Sequence, residues 1–180
     1  MSRVVLSIGS NLGDRLARLQ SVVDGLGNAV VAVSPIYETD PWGRMDQAPF
    51  LNAVLIADDP ACDGQAWLSR AQGFERAAGR VRGERWGPRT LDVDLIACYG
   101  DGEAEVITRE PNLTLPHPLA HLRAFVMVPW LAIEPEAQLT VAEGRRPVAR
   151  LLAELDPADR AGVRLSNLTL ELDTKPESDA

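Results

Sequence analysis

An α+β fold, with an antiparallel sheet and helices packed on it, is what the sequence predicts, on three observations. Apolar residues alternate at period two in short β-branched runs, they recur at helical spacing in segments of about a dozen residues, and the two patterns take turns along the first hundred positions. The length of 180 residues suits one domain with a core large enough to stand without staples. Residues 1–172 are expected to form that domain, and 173–180 a flexible polar tail.

Arg3 to Ile8 reads as a strand that ends in the turn Gly9-Ser10-Asn11-Leu12-Gly13-Asp14, which offers several helix N-caps. From Asp14 to Leu26 the residues Leu16, Leu19, Val23 and Leu26 fall on one helical face, and Gly27 suits the stop. Val30 to Tyr37 and Phe50 to Ala57 read as strands, joined by a Pro- and Gly-rich loop too long for a tight hairpin. Ala66 to Ala78 reads as a helix, with Trp67, Ala71, Phe74 and Ala78 on one face. The loop Gly79 to Thr90 follows, and then a strand from Leu91 to Tyr99 with a short return strand near Val106. The order β-α-β-β-α-β predicts a ferredoxin-like sheet. Beyond it, Pro118 to about Ile133 reads as a helix made irregular by Pro129, Val148 to Leu155 as a short helix, and Leu168, Leu170 and Leu172 as an alternating run. These last elements form a small C-terminal extension.

Composition narrows the chemistry. A net charge of −8 opposes general nucleic-acid binding, which needs a basic face to displace counterions. The two cysteines, Cys62 and Cys98, lie far apart, so neither a disulfide framework nor a cysteine-rich zinc site is expected, and a reducing compartment suits them. No apolar run is long enough to span a bilayer, and the N-terminus goes straight into a strand without a signal-peptide pattern. A cytoplasmic protein with no membrane partner is the expectation. Seventeen of the eighteen basic residues are arginine, and the lone Lys175 sits in the tail. The phosphate loop built on a G-K-[ST] lysine is therefore excluded, and any phosphate must be held by arginines and metal.

Three stretches carry candidate chemistry. From Arg70 to Arg89 six arginines stand against two glutamates, a surplus of four positive charges inside an acidic chain. A solvated charged face would explain such a run. Yet Arg80, Arg82, Arg85 and Arg89 share a loop with three glycines, so their guanidinium forks can converge on phosphate oxygens. In Leu91-Asp92-Val93-Asp94-Leu95 the strand period places both carboxylates on one face. That pattern alone also fits a half-exposed strand. Beside an arginine loop it makes a site for magnesium, which is commonly held by one or two carboxylates plus substrate phosphates. In Leu115-Pro116-His117-Pro118, Pro118 would open a helix and set His117 at its start, where an anion is favoured, with Arg123 in the second turn. His117 and His121 have no acidic neighbour to complete a zinc triad. Trp42 and Trp86, each in a polar loop, suit a flat aromatic ligand better than a core.

These residues carry a resemblance. RVRGERWGPRTLDVDL, with IGSNLGDR at the start, TDPWG and PFLN in the middle and LTLPHPLAHLRAF later, closely resembles the 6-hydroxymethyl-7,8-dihydropterin pyrophosphokinases of folate biosynthesis, from about Val4 to Ile133. The resemblance implies a ferredoxin-like fold and transfer of the β,γ-diphosphate of ATP to the pterin hydroxymethyl group, with release of AMP. It implies that Asp92 and Asp94 hold two Mg2+ ions and that Arg80 and Arg89 are catalytic, with Arg82 and Arg85 in a mobile loop. It assigns Gln72, Glu75, Ile96, Thr114, His117 and Arg123 to the nucleotide. Phe50 and Phe125 would sandwich the pterin, and Asn52 would bond its polar edge. Thr39, Asp40 and Trp42 would offer it backbone groups, and Trp86 would cover it. Phe50 stands where the family commonly has tyrosine, Asn112 where some members have arginine, and Pro118 where tyrosine is known. The expected partners are ATP and the reduced pterin, and the expected state is a monomer. Two other readings remain open at this point: a kinase that moves only the γ-phosphate, and a nucleotide-sensing module without catalysis.

Overall fold

The computed structural model describes residues 2–40, 48–79 and 90–172. Strand β1 (Arg3–Ser10) leads into helix α1 (Arg15–Leu26), where Asp14 acts as N-cap and its Oδ1 accepts the Ala17 N–H at 3.1 Å. The stretch expected as one strand from Val30 to Tyr37 is two, β2 (Val30–Val33) and β3 (Tyr37–Thr39). The break falls at Ser34-Pro35-Ile36, because Pro35 has no N–H to give a ladder. Ser34 bridges the gap: its N–H donates to the Val54 carbonyl at 2.8 Å and its Oγ accepts the Val54 N–H at 2.9 Å. Strand β4 (Phe50–Asp58) follows, then α2 (Gly64–Ala77), which starts two residues before the expected Ala66 because Asp63 caps it through the Ala66 N–H. Strand β5 (Asp92–Tyr99) completes the first hundred residues.

The sheet runs β3–β4–β1–β5, all antiparallel, with β2 alongside β3 on the same edge of β4. With β2 and β3 counted as one broken strand, this is the ferredoxin-like order. Alternation then builds two cores. Leu6, Ile8, Leu51, Leu55, Val93 and Leu95 face α1 and α2, where they meet Leu19, Val22 and Trp67. Each such side chain contributes about 1.5–3 kcal/mol when fully buried. The two helices close tightly because Gly25 has no side chain: a Cβ there would lie 2.4 Å from the Phe74 ring.

The opposite face is covered by the rest of the chain, and here several expectations need correction. No return strand forms near Val106; Tyr99 makes a single bridge to Glu105 after a short 3-10 turn (Asp101–Glu103). Two short strands not foreseen, β6 (Thr108–Glu110) and β7 (Leu113–Leu115), form a hairpin instead. The helix expected from Pro118 is divided into a 3-10 turn (Ala120–Leu122) and α3 (Ala124–Ile133), since Arg123 is extended at φ −112°, ψ 100°. Pro129 is accommodated inside α3, whose Met127 and Trp130 are fully buried against Val5, Val54 and Ile96. A second unforeseen hairpin, β8 (Gln138–Val141) with β9 (Gly144–Pro147), precedes α4 (Val148–Ala153) and α5 (Pro157–Ala161). Strands of three or four residues leave too few alternations to read. Finally β10 (Val163–Leu165) pairs with β3 and adds the last strand to the main sheet. The alternating run of leucines 168, 170 and 172 is not a strand; Leu168 and Leu170 pack on the α1 side, while Leu172 is exposed.

Candidate active site

At one end of the sheet, the face that looks toward α3 turns from apolar to polar. Cross-strand register sets this out in rows. Asn52, Gly9 and Asp92 form one row across β4, β1 and β5, and Val54, Ser7 and Asp94 form the next. Adjacent strands lie about 4.8 Å apart, so Asn52 and Asp92 stand about 10 Å from each other with Gly9 between them. Gly9 is needed for this: a Cβ there would lie 2.4 Å from Asn52 Oδ1. Asn52 is 5% exposed and donates from Nδ2 to Thr39 Oγ1 at 2.5 Å. Thr39 pairs with Phe50 in the β3–β4 ladder, which puts Phe50 on this face as well.

Asp92 and Asp94 share the face because Leu91, Val93 and Leu95 are taken into the α1–α2 core. Their Cα atoms are ~7 Å apart along the strand, so the two carboxylates repel unless a cation is near. One is: Arg123 Nη1 lies 3.9 Å from Asp94 Oδ2. Burial draws the Arg123 guanidinium below its ordinary pKa, while Asp94 and then Asp92 pull it back up, so it faces both acids. It also stands over the Phe125 ring, 5.5 Å from its centroid. Arg123 was expected inside a helix. It is instead the residue before α3, and its extended backbone, not helical spacing, brings it to the acids.

The outer edge of β5 holds the remaining candidates. Glu75 reaches over from α2 and its Oε2 accepts the Val93 N–H at 3.2 Å. Gln72 lies one turn before it, half-buried. The Ile96 side chain is fully buried, and its carbonyl accepts the His117 N–H at 2.8 Å, so Ile96 can meet a ligand only through its backbone. His117 is not at a helix start as expected. It lies two residues before Leu119, the N-cap of the 3-10 turn; its carbonyl accepts the Ala120 N–H at 3.2 Å, and its Nδ1 accepts the Leu119 N–H at 3.1 Å. Burial, and to a lesser degree Arg123, push its pKa down to about 4, so the ring is neutral. Thr114 is exposed in β7.

Asp40 is tied to the C-terminal strand. Its N–H donates to the Gly162 carbonyl at 3.1 Å and Arg164 Nη2 donates to its Oδ1 at 3.1 Å. Of its backbone groups, the carbonyl is the one left to offer a ligand. Arg80, Arg82, Arg85 and Arg89, together with Trp42 and Trp86, lie outside the described residues, as does the tail from 173. Ser7, Gly9, Asn11 and Arg15 drew no site role from the sequence. Asn11 Nδ2 donates to the Ala48 carbonyl at 3.2 Å and Arg15 Nη1 to the Pro49 carbonyl at 2.9 Å, so the first turn holds the chain just before Phe50. The signal for Ser7 and Gly9 was their alternation with Leu6 and Ile8, which becomes telling only when the register to Asp92 and Asp94 is known.

Both acids offer oxygen donors, the kind that hard cations such as magnesium take. Among the described residues no group of three His, Cys, Asp or Glu side chains is close enough to hold an ion by itself.

Residues 5–135 match the family model described as 7,8-dihydro-6-hydroxymethylpterin-pyrophosphokinase (HPPK). Curated relatives named 2-amino-4-hydroxy-6-hydroxymethyldihydropteridine pyrophosphokinase include that of Mycobacterium tuberculosis, 68% identical over 97% of this chain and 95% of its own. That of Mycobacterium leprae is 69% identical over 96% and 93%. That of Methylorubrum extorquens is 41% identical over 88% and 96%. The crystal structure of Plasmodium falciparum HPPK-DHPS wild type aligns with a TM-score of 0.59 at 14% identity, over 86% of this chain and 43% of that one, a likeness of fold.

Proposed function

The chain belongs to the 7,8-dihydro-6-hydroxymethylpterin-pyrophosphokinase family, and from that premise we propose that it transfers the β,γ-diphosphate of ATP to the hydroxymethyl group of 6-hydroxymethyl-7,8-dihydropterin, releasing AMP, in folate biosynthesis. One observation carries the reading. The same sheet face holds a buried amide suited to a heterocycle edge, Asn52, and across Gly9 a carboxylate pair suited to a metal-bound triphosphate.

Asp92 and Asp94 would hold two Mg2+ ions, which when bound with ATP neutralise phosphate charge and make the attacking hydroxyl more acidic. Asn52 bonds the polar edge of the pterin, and Phe50 and Phe125 take its two faces. Thr39, Asp40 and Trp42 line its backbone side, and Trp86 covers it. Glu75 and Gln72 from α2, with Thr114, His117 and the Ile96 backbone along the β5 edge, receive the nucleoside. Arg123, set between the acids and Phe125, meets the phosphates where nucleotide and pterin converge. Arg80 and Arg89 neutralise the group in flight, aided by Arg82 and Arg85. The pterin oxygen forms its bond to the β-phosphorus as the bond to the α,β-bridging oxygen breaks, and the hydroxyl proton passes to solvent. Positioning and electrostatics do most of this work, as is usual in phosphoryl transfer.

The enzyme acts as a monomer in the cytoplasm on this reading. Two buried free thiols, Cys62 and Cys98, favour a reducing compartment, and among the described residues no helix is long and apolar enough to cross a membrane. Incubation with ATP, Mg2+ and the reduced pterin alcohol, followed by nucleotide separation, is the test. AMP formed in step with the pterin diphosphate is expected. ADP would mark a γ-phosphoryl kinase, and nucleotide binding without turnover a sensor; either result overturns the proposal.

A further inference from the structure

Ser7 stands in the centre of the candidate site with no role yet. It lies on β1 directly opposite Asp94 on β5, and on its other side opposite Val54 on β4. Its neighbours Leu6 and Ile8 point into the α1–α2 core, whereas Val5, two residues before it, lies in the core under α3. Ser7 therefore projects on the same face as Asp94. It is 4% exposed, and its hydroxyl makes no hydrogen bond to any described residue. Its Oγ is not one of the fully buried atoms left without a partner, so the hydroxyl opens onto the site face and is free to turn.

We propose that Ser7 is a positioning residue for Asp94: with the metal and nucleotide bound, its hydroxyl donates to the carboxylate oxygen that the metal does not use. Directly opposed residues in an antiparallel pair have Cβ atoms about 4.5–5.5 Å apart, so a rotation about the side-chain bonds brings hydroxyl and carboxylate into hydrogen-bond range. The geometry also favours this direction of bonding. An ionised carboxylate has no hydrogen to give, while a serine hydroxyl turns its proton freely. Arg123 approaches Asp94 through Oδ2 at 3.9 Å, and Ser7 faces the same acid from the neighbouring strand. A ligating carboxylate held at both oxygens is fixed in angle, which is how outer partners of metal ligands raise affinity. The inference rests on the assignment of Asp94 as a metal ligand.

The test measures Mn2+ binding by electron paramagnetic resonance in the presence of a non-hydrolysable ATP analogue, for the full chain and for Ser7→Ala, Ser7→Thr and Asp94→Ala. Ser7→Ala is expected to weaken Mn2+ binding about tenfold and to shift the metal dependence of turnover to higher concentration, with the pterin KM unchanged. Its thermal midpoint should not fall, since the hydroxyl bonds no described residue. Ser7→Thr, which keeps the O–H, should retain most of the affinity. Asp94→Ala should lose it. If Ser7→Ala binds Mn2+ as the unaltered chain does while Asp94→Ala does not, the positioning role is wrong and the ligand assignment stands. If Asp94→Ala binds Mn2+ normally, the ligand assignment itself is wrong and takes the role of Ser7 with it. A fall in both midpoint and affinity that threonine does not restore would make Ser7 a packing residue and overturn the proposal.

Discussion

The β1–β5 ladder carries a charged cluster at each end, and the two are built differently. At the far end Arg3 Nη1 donates to Glu134 Oε2 at 2.7 Å, the other oxygen of Glu134 accepts the Trp130 indole N–H at 2.9 Å, and the Arg3 guanidinium stacks on Tyr99 at 4.4 Å. One acid there is shared by two donors with close geometry. At the site end two acids lie on one face, and the arginine beside them stands at 3.9 Å. The first arrangement stands in the wall of a cavity of about 330 Å³ that Glu103 and Arg145 also line. The second sets two acids on one sheet face with the Arg123 guanidinium between them and the Phe125 ring. Charge density alone does not distinguish them; at the far end one acid serves two donors, and at the site end two acids share one face.

Removing an acid from the site end should give the largest effect. Asp94→Ala is expected to lower the rate of AMP formation by about a thousandfold or more, because one metal ligand supplies several kcal/mol of charge stabilisation. Its thermal midpoint should stay the same or rise, since a carboxylate pair is relieved. A variant that keeps near-normal turnover would erase the distinction between the two ends. The next effect belongs to Gly9. Gly9→Ala sets a Cβ 2.4 Å from Asn52 Oδ1, so the amide must move. The pterin KM should rise by roughly 10–100-fold, as a site loses when its polar group is misplaced, while nucleotide affinity holds. Equal losses for both substrates in steady-state kinetics would show that the row from Asn52 to Asp92 does not divide the site as described.

Long periodic elements were legible in the sequence, and so was the pair Asp92 and Asp94, because a strand of eight residues fixes which side chains share a face. What was not legible depended on contacts between distant segments. Ser34 stands in for a strand residue through a bond to Val54, and Arg123 comes to Asp94 through one extended residue between two helical turns. The hairpins β6–β7 and β8–β9 are too short to show a period. The C-terminal extension drew no role from the sequence, yet β10 begins beside Thr39, and Arg164 and Gly162 hold Asp40. The hairpins apart, whose partners are near in sequence, each of these is decided by a partner more than ten residues away and so does not follow from local pattern.

His117 links the site to pH. Its folded pKa of about 4 lies below the ordinary 6.5, so the unfolded chain takes up the proton first. Stability should therefore be full above about pH 6.5 and fall as the pH drops through 6.5 toward 4, by roughly 3 kcal/mol at the acid limit. Denaturant titrations of His117→Asn should show a flatter profile over that window than the unaltered chain. Parallel profiles would mean that burial does not hold the ring neutral.

The smallest effect, and the one that sets the two ends apart, belongs to Arg3. Arg3→Ala removes a partner from Glu134 where both side chains are mostly buried, 20% and 27% exposed. Glu134 keeps the Trp130 indole and solvent, so the loss is that of a charged hydrogen bond and a ring contact, about 1–2 kcal/mol, and not that of an isolated buried charge. Urea unfolding should show this as a lower midpoint with an unchanged slope. AMP formation at a temperature well below the transition should be unaltered, because β1 is anchored on both sides between Arg3 and Ser7 by the ladders to β4 and β5. If turnover fell in proportion to stability, the ladder would be transmitting strain from one end to the other, and the far cluster would be part of the machinery that aims Ser7, Gly9 and the acids.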